Sequence, residues 1–221
     1  LLGDHQQFIE TKKLYAREMT TGFIRLNGMV VGCVANRSLS GEKVMTSALT
    51  AAGAKKAASF IKYCDAFHIP VLTLCNVSGF DSSFEAESTF GDSCAAMITA
   101  YASATVPTVT IVLDEAMGSA GTAMGSKSLG VDLLYAWENA KIGPMDSLQA
   151  ARILHEGEPA SLVRQKAEEY EKLQNSAVSA AARGYADAII VPEQTRKYLI
   201  SAFEMLATKQ DHTLIKKHTS V

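Results

Sequence analysis

Charge is scarce and balanced in this chain. Of 221 residues 20% are charged, with a net charge of −2, which argues against a nucleic-acid or anionic-membrane partner. Long apolar runs are absent too. None reaches the roughly 18 residues a membrane span needs, and the opening "LLGDHQQFIETKK" lacks the layout of a signal peptide. Cysteine is limited to Cys33, Cys64, Cys75 and Cys94, with no Cys-x-x-Cys pair and no histidine at finger-like spacing. That spacing argues against a structural zinc site; Cys33 and Cys75 read as small core residues, and a reducing cytoplasm is the expected setting. There is no Walker pattern and no Gly-x-Gly-x-x-Gly, so phosphate cradling by those devices is excluded. The first residue is Leu, so a fragment of a longer protein is expected, read here as one domain over 1–221.

What is present is an alternation of helical and extended patterns. "GFIRLNGMVVGCVAN" (22–36) predicts a hairpin, because two β-rich runs flank Asn27-Gly28. The apolar spacing of 53–69 predicts a helix, 70–80 a buried strand, 92–105 a second helix and 106–118 a second buried strand. A small-residue helix from Ser119 to Lys127, a strand over 131–137 and a short apolar piece at 140–145 follow. Helices are expected over 147–154 and 159–183, the latter broken near Asn175. An extended stretch then precedes a last helix at 192–209, and the residues beyond are expected to fray. Continuous apolar strands between helices imply an α/β layer with covered parallel strands.

The stretch "DEAMGSAGTAMGSK" (114–127) directly follows the apolar run "VPTVTIVL". Small residues at a helix start let the backbone approach a ligand, and first-turn N–H groups have no intrahelical partner. The N–H groups of Ser119 and Ala120, turned by Gly118, are therefore candidate oxyanion donors. Gly79 and Phe80, at the end of the preceding buried strand, are placed to add an amide or a wall from the same rim. Ser119 equally fits a plain N-cap of a helix packed tightly on the sheet. The segments 38–47 and 78–91 read as the long loops, and Asp81, Glu85, Glu87 and Asp92 read as a solvated acidic loop. His5, His68, His155, His212 and His218 are all remote in sequence from the loops at 78–91 and 114–122, and Lys127 lies about two helical turns from Ser119. Arg183-Gly184-Tyr185 with Asp187 reads as a helix stop and a salt-bridged turn.

These segments, in this order, resemble the C-terminal half of the carboxyltransferase subunits of biotin-dependent acyl-CoA carboxylases and decarboxylases, over about Thr20 to Lys209. "FIKYCDAFHIP" and "SKSLGVDLLYAW" carry the resemblance most specifically. It implies a crotonase-type ββα superhelix and carboxyl transfer between carboxybiotin and a short-chain acyl-CoA. The implied cofactor is biotin on a carrier domain. The implied partners are that carrier, an N-terminal-type half and further copies in a homo-oligomer. The family's Ala-x-Gly-Gly-Ala segment falls on 116–120, which assigns the biotin ureido oxygen to the Ser119 and Ala120 amides. The cofactor-binding positions become Gly118, Gly79, Phe80, Gly121 and Thr122. Departures are Ser119 for the second glycine, Ser78 for a proline, Gly121-Thr122 where Tyr-Asp is usual, and "IGPMDS" at 142–147.

Two other readings stay open. A serine hydrolase of the same superhelical architecture would use Ser119 as nucleophile and needs a His or Lys within reach. A non-catalytic half would only complete a complex; alone, the chain is expected to show negligible turnover.

Overall fold

The computed structural model describes residues 2–37, 39–40, 43–44 and 47–210. The hairpin comes first: β2 (Met19–Leu26) and β3 (Met29–Asn36) pair antiparallel. Asn27 and Gly28 both take left-handed angles, φ 51° and 82°, as a two-residue type I′ turn requires. An element not foreseen, β1 (Ile9–Thr11), adds an antiparallel edge to β2. Helix α1 (Ala51–Ala66) starts at Thr50, whose Oγ1 accepts the Gly53 N–H at 2.9 Å. It buries Ala54, Ala57, Ala58, Ile61 and Cys64 on one side. Pro70 then forces extension, and β4 (Val71–Val77) runs parallel to β3.

The same step repeats. After β4, Gly79–Phe80 pairs parallel with Ala48–Leu49 in a small second sheet. Helix α2 (Phe84–Ser103) returns the chain, and β5 (Thr108–Met117) lies parallel to β4. Next come α3 (Gly118–Ala123), β6 (Leu133–Trp137), β7 (Lys141–Gly143), α4 (Ser147–Leu154) and α5 (Ala160–Tyr170). A π-turn at Glu171–Asn175, α6 (Ala177–Ala182), β8 (Ala188–Ile190) and α7 (Thr195–Leu206) complete the elements. The main sheet has the order β1-β2-β3-β4-β5-β6-β8, with β7 also on β5. One face packs under α1, α2 and α3, the other under Leu199, Ala202 and Phe203 of α7. Repeated strand–strand–helix steps stacked this way form the expected ββα superhelix.

Two expectations change. The loop assigned to 78–91 is helical from Phe84, because Ser83 caps the helix by accepting the Ala86 N–H at 3.3 Å and Ala86 is buried. The helix expected through Lys127 ends at Ala123: Gly125 has φ 81°, and a separate 3-10 turn covers Lys127–Leu129. Half of the residues of the long loop at 38–47, and the tail beyond Gln210 with His212 and His218, lie outside the described residues.

Candidate functional site

The sheet divides beside β5. Strand β6 pairs with Val109–Val112 and β7 with Glu115–Met117, so the residues between lose a neighbour on that side. On the β4 side the register slips, Cys75 facing Val112 but Val77 facing Ala116. Side-chain amides take over there. Asn36 Oδ1 accepts the Asn76 N–H at 2.8 Å, Asn36 Nδ2 donates to the Asn76 carbonyl, and Asn76 Oδ1 accepts the Glu115 N–H at 3.3 Å. This relay holds the end of β5, from which α3 turns back.

The turn needs its glycines. Gly118 has φ 58°, and a Cβ there would also stand 3.0 Å from the Pro144 carbonyl oxygen. At Gly121 a Cβ would lie 2.6 Å from the Ala116 carbonyl carbon. Because α3 is made of small residues, it sits close to β5 and leaves space beside it. A cavity of about 570 Å3 fills that space, within the range that small-molecule sites occupy. Its floor is Cys75, Thr110, Val112 and Ala116, with Leu134 and Ile142 beside them. One wall is Gly118–Ser119, Gly121–Thr122 and Gly125–Ser128; another is Gly143–Pro144, Gln174, Arg183 and Tyr185.

Ser119 is exposed at the cavity and Gly118, Gly121 and Thr122 line it, whereas Ala120 is buried and off the wall. No side chain caps α3. Among the described residues, no carbonyl outside the helix accepts a bond from the Ser119 or Ala120 N–H. Gly79 and Phe80 pack against α3 but do not line the cavity. The Phe80 ring packs tilted against Phe90, with 4.1 Å between centroids.

The cavity also takes in residues that the sequence reading set aside. Lys127 shares its wall with Ser119, because the helix that would have separated them ends four residues earlier. Its ammonium donates to the Asp132 carbonyl at 2.9 Å and lies 3.1 Å from Asp187 Oδ2. Asp187 therefore pairs with Lys127, not with the arginine of its own turn. Arg183 is a helix stop, as expected, but its guanidinium also borders the cavity and donates to the Leu173 carbonyl and to the backbone and side-chain oxygens of Gln174. Among the described residues, no Asp or Glu lines the cavity. Thr110 Oγ1 and Ser126 Oγ are buried without a hydrogen-bond partner. Thr110 comes to the cavity through the pairing of β4 with β5 and Ser126 through the turn at Gly125, so no local pattern announced them.

The hydrolase reading finds no base. Among the described residues no histidine borders the cavity, and the Lys127 ammonium is already engaged by Asp187 and the Asp132 carbonyl. Burial pushes the Cys75 thiol up to about 12, so it is no nucleophile near neutrality. Glu115 is raised by burial and by Asp114, but it stands outside the cavity wall.

Comparison with known proteins agrees with this geometry. The carboxyl transferase domain model matches residues 2–221. The chain is 38% identical to the methylmalonyl-CoA carboxyltransferase 12S subunit of Propionibacterium freudenreichii, covering 97% of this chain and 42% of that protein. It is also 38% identical to the propionyl-CoA carboxylase beta chain of Roseobacter denitrificans, over 100% of this chain and 43% of that one. A transcarboxylase 12S crystal structure, solved with methylmalonyl-coenzyme A and methylmalonic acid bound, superposes with a TM-score of 0.93 over 99% of this chain and 42% of its own, at 39% identity. The chain thus spans less than half the length of these relatives. With a family model matched from end to end and a ββα superhelix shared with a solved member, the chain belongs to the carboxyl transferase domain family.

Proposed function

We propose that this chain is the biotin-facing, C-terminal-type half of an acyl-CoA carboxyltransferase that moves a carboxyl group between biotin and a short-chain acyl-CoA. The observation that carries the reading is a cavity bordered at Ser119 by a first-turn amide that no carbonyl outside its helix engages, with no carboxylate or histidine among the described residues of its wall. Such a wall suits a reaction in which the protein supplies donors for developing negative charge and the cofactor supplies the base.

The residues present fit biotin. Val112, Ala116, Leu134 and Ile142 offer apolar surface for a thioether ring, and the Ser119 N–H at the edge offers a donor for a urea oxygen. Biotin, when bound, supplies the carboxyl carrier and a nitrogen base. The Ser119 N–H at the wall, backed by the Ala120 N–H one residue further in, would receive charge on the ureido oxygen, while Gly118 holds their turn. Gly121 and Thr122 shape the wall, and Gly79 and Phe80 brace α3 from the neighbouring strand end. An N-terminal-type half supplies the acyl-CoA side, a carrier domain delivers biotin, and the assembly is a homo-oligomer.

The test is made in the complete subunit, assembled with its biotin carrier. Ser119→Pro deletes one N–H at a first-turn position that tolerates proline. It is expected to lower kcat by about 100- to 1000-fold, whereas Ser119→Ala stays close to wild type. Equal losses in both would point to the hydroxyl as a nucleophile and overturn the reading.

A further inference from the structure

We propose that Asn175, which lies off the cavity wall, is a positioning residue: its side chain fixes β7, and β7 sets where the first turn of α3 presents the Ser119 N–H. The inference rests on the carboxyl-transfer reading and adds to it the residue that holds the donor in place.

Strand β7 is the link. It pairs with the end of β5, Gly143 beside Met117. The carbonyl oxygen of the next residue, Pro144, closes on Gly118, standing 3.0 Å from where a Cβ would be. Pro144 has no N–H to carry the ladder past Gly143, so the strand end is held from its other side. Asn175 is 1% exposed, and its Nδ2 donates to the Met145 carbonyl at 2.9 Å. Its Oδ1 stands against Gly143, where an added Cβ would overlap it. One amide thus clasps the strand on both sides of Pro144. That Oδ1 is buried with no hydrogen-bond partner, a cost native interiors rarely accept and one that marks a side chain kept for its position.

The element that carries Asn175 is itself braced. Asn175 ends the π-turn Glu171–Asn175, an irregularity that re-aims side chains and is frequent at functional sites. Side chains satisfy the carbonyls that such a turn leaves open. Ser176 Oγ donates to the Lys172 carbonyl at 2.9 Å, Ser179 Oγ to Leu173 at 2.6 Å, and Arg183 to Leu173 and Gln174. At the start of β7, Lys141 forms a β-bridge with Ser176 and lies 3.1 Å from Glu171. The π-turn therefore grips β7 at its first residue and again just past its last. Any displacement of Asn175 passes through Gly143–Met145 to Met117 and Gly118, the residues that aim the donor.

In the complete subunit, assembled with its biotin carrier, Asn175→Ala is expected to lower kcat about 10- to 100-fold with the KM for acyl-CoA unchanged. Hydrogen exchange of the backbone over 115–119 is expected to speed up in the same variant. Leu199→Ala, buried on the opposite face of the sheet, is the stability control. It is expected to lower the unfolding midpoint while leaving kcat and that exchange as in wild type. Gly143→Ala is expected to lose as much as Asn175→Ala, and the double variant no more than either, because removing Asn175 makes room for the methyl. An unchanged kcat in Asn175→Ala, a rise in KM alone, losses that multiply in the double variant, or an equal kcat loss in Leu199→Ala overturns the positioning role. If Ser119→Pro loses activity and Asn175→Ala does not, only this role falls. A silent Ser119→Pro removes the carboxyl-transfer reading and the donor that Asn175 positions; faster exchange in Asn175→Ala then leaves a brace without catalytic effect.

Discussion

Gly121 and Gly91 show how differently two helical glycines behave. At Gly121 an added Cβ meets the Ala116 backbone at 2.6 Å, and no rotamer relieves a backbone clash. Gly121→Ala is expected to cost about 1–3 kcal/mol, read by urea denaturation, and to displace the Ser119 amide with it. Gly91 lies within α2 with nothing within 4 Å of its added Cβ. Gly91→Ala is expected to stabilise by about 0.5–1 kcal/mol, seen as a raised denaturation midpoint. A composition-based reading treats both simply as glycine; their opposite signs come from what the fold brings near.

At the scale of elements, the Asn36–Asn76 relay is what keeps β5 in place where its register slips. Asn36 is buried and satisfies both the N–H and the carbonyl of Asn76. Asn36→Ala leaves those two backbone groups unpaired, a loss of about 2–4 kcal/mol measurable by equilibrium unfolding. Faster amide exchange at Asn76 and Glu115 should accompany it. Element existence was legible from local patterns: the Asn27-Gly28 hairpin, the apolar strands and the break near Asn175 are where the periodicity puts them. Boundaries were less so. The start of α2 depends on the Ser83 cap and on burial of Ala86, and the short edge strand β1 depends on β2 being there to pair with.

At the scale of the molecule, Asp4 ties three distant segments. Its carboxylate accepts the Gly28 N–H at 2.8 Å and the Asn27 N–H at 3.1 Å, and it lies 2.5 Å from Arg196 of α7. The Gly28 amide, then Arg196, holds its pKa at about 2, against an ordinary 3.8. A depressed folded pKa means the stabilisation is fully present above the ordinary value and is lost as pH falls from about 4 toward 2. Asp4→Asn is expected to flatten stability across that window, checked by denaturant midpoints at successive pH values. Exposed apolar side chains such as Leu14, at 81%, and Phe84, at 90%, are expected to become protected from surface labelling when the complete subunit assembles.

The sequence alone determined the layering, the covered parallel strands and the small-residue turn after β5, because hydrophobic period and glycine placement act over a few residues. Its resemblance to carboxyltransferases rested on two contiguous segments for the same reason. Only the tertiary structure decided which side chains meet. Lys127 reached the cavity because α3 stops at Ala123, Arg183 because α6 ends beside it, and Thr110 because β4 and β5 pair in that register. Contacts between residues dozens of positions apart are set by packing, and no local pattern encodes them.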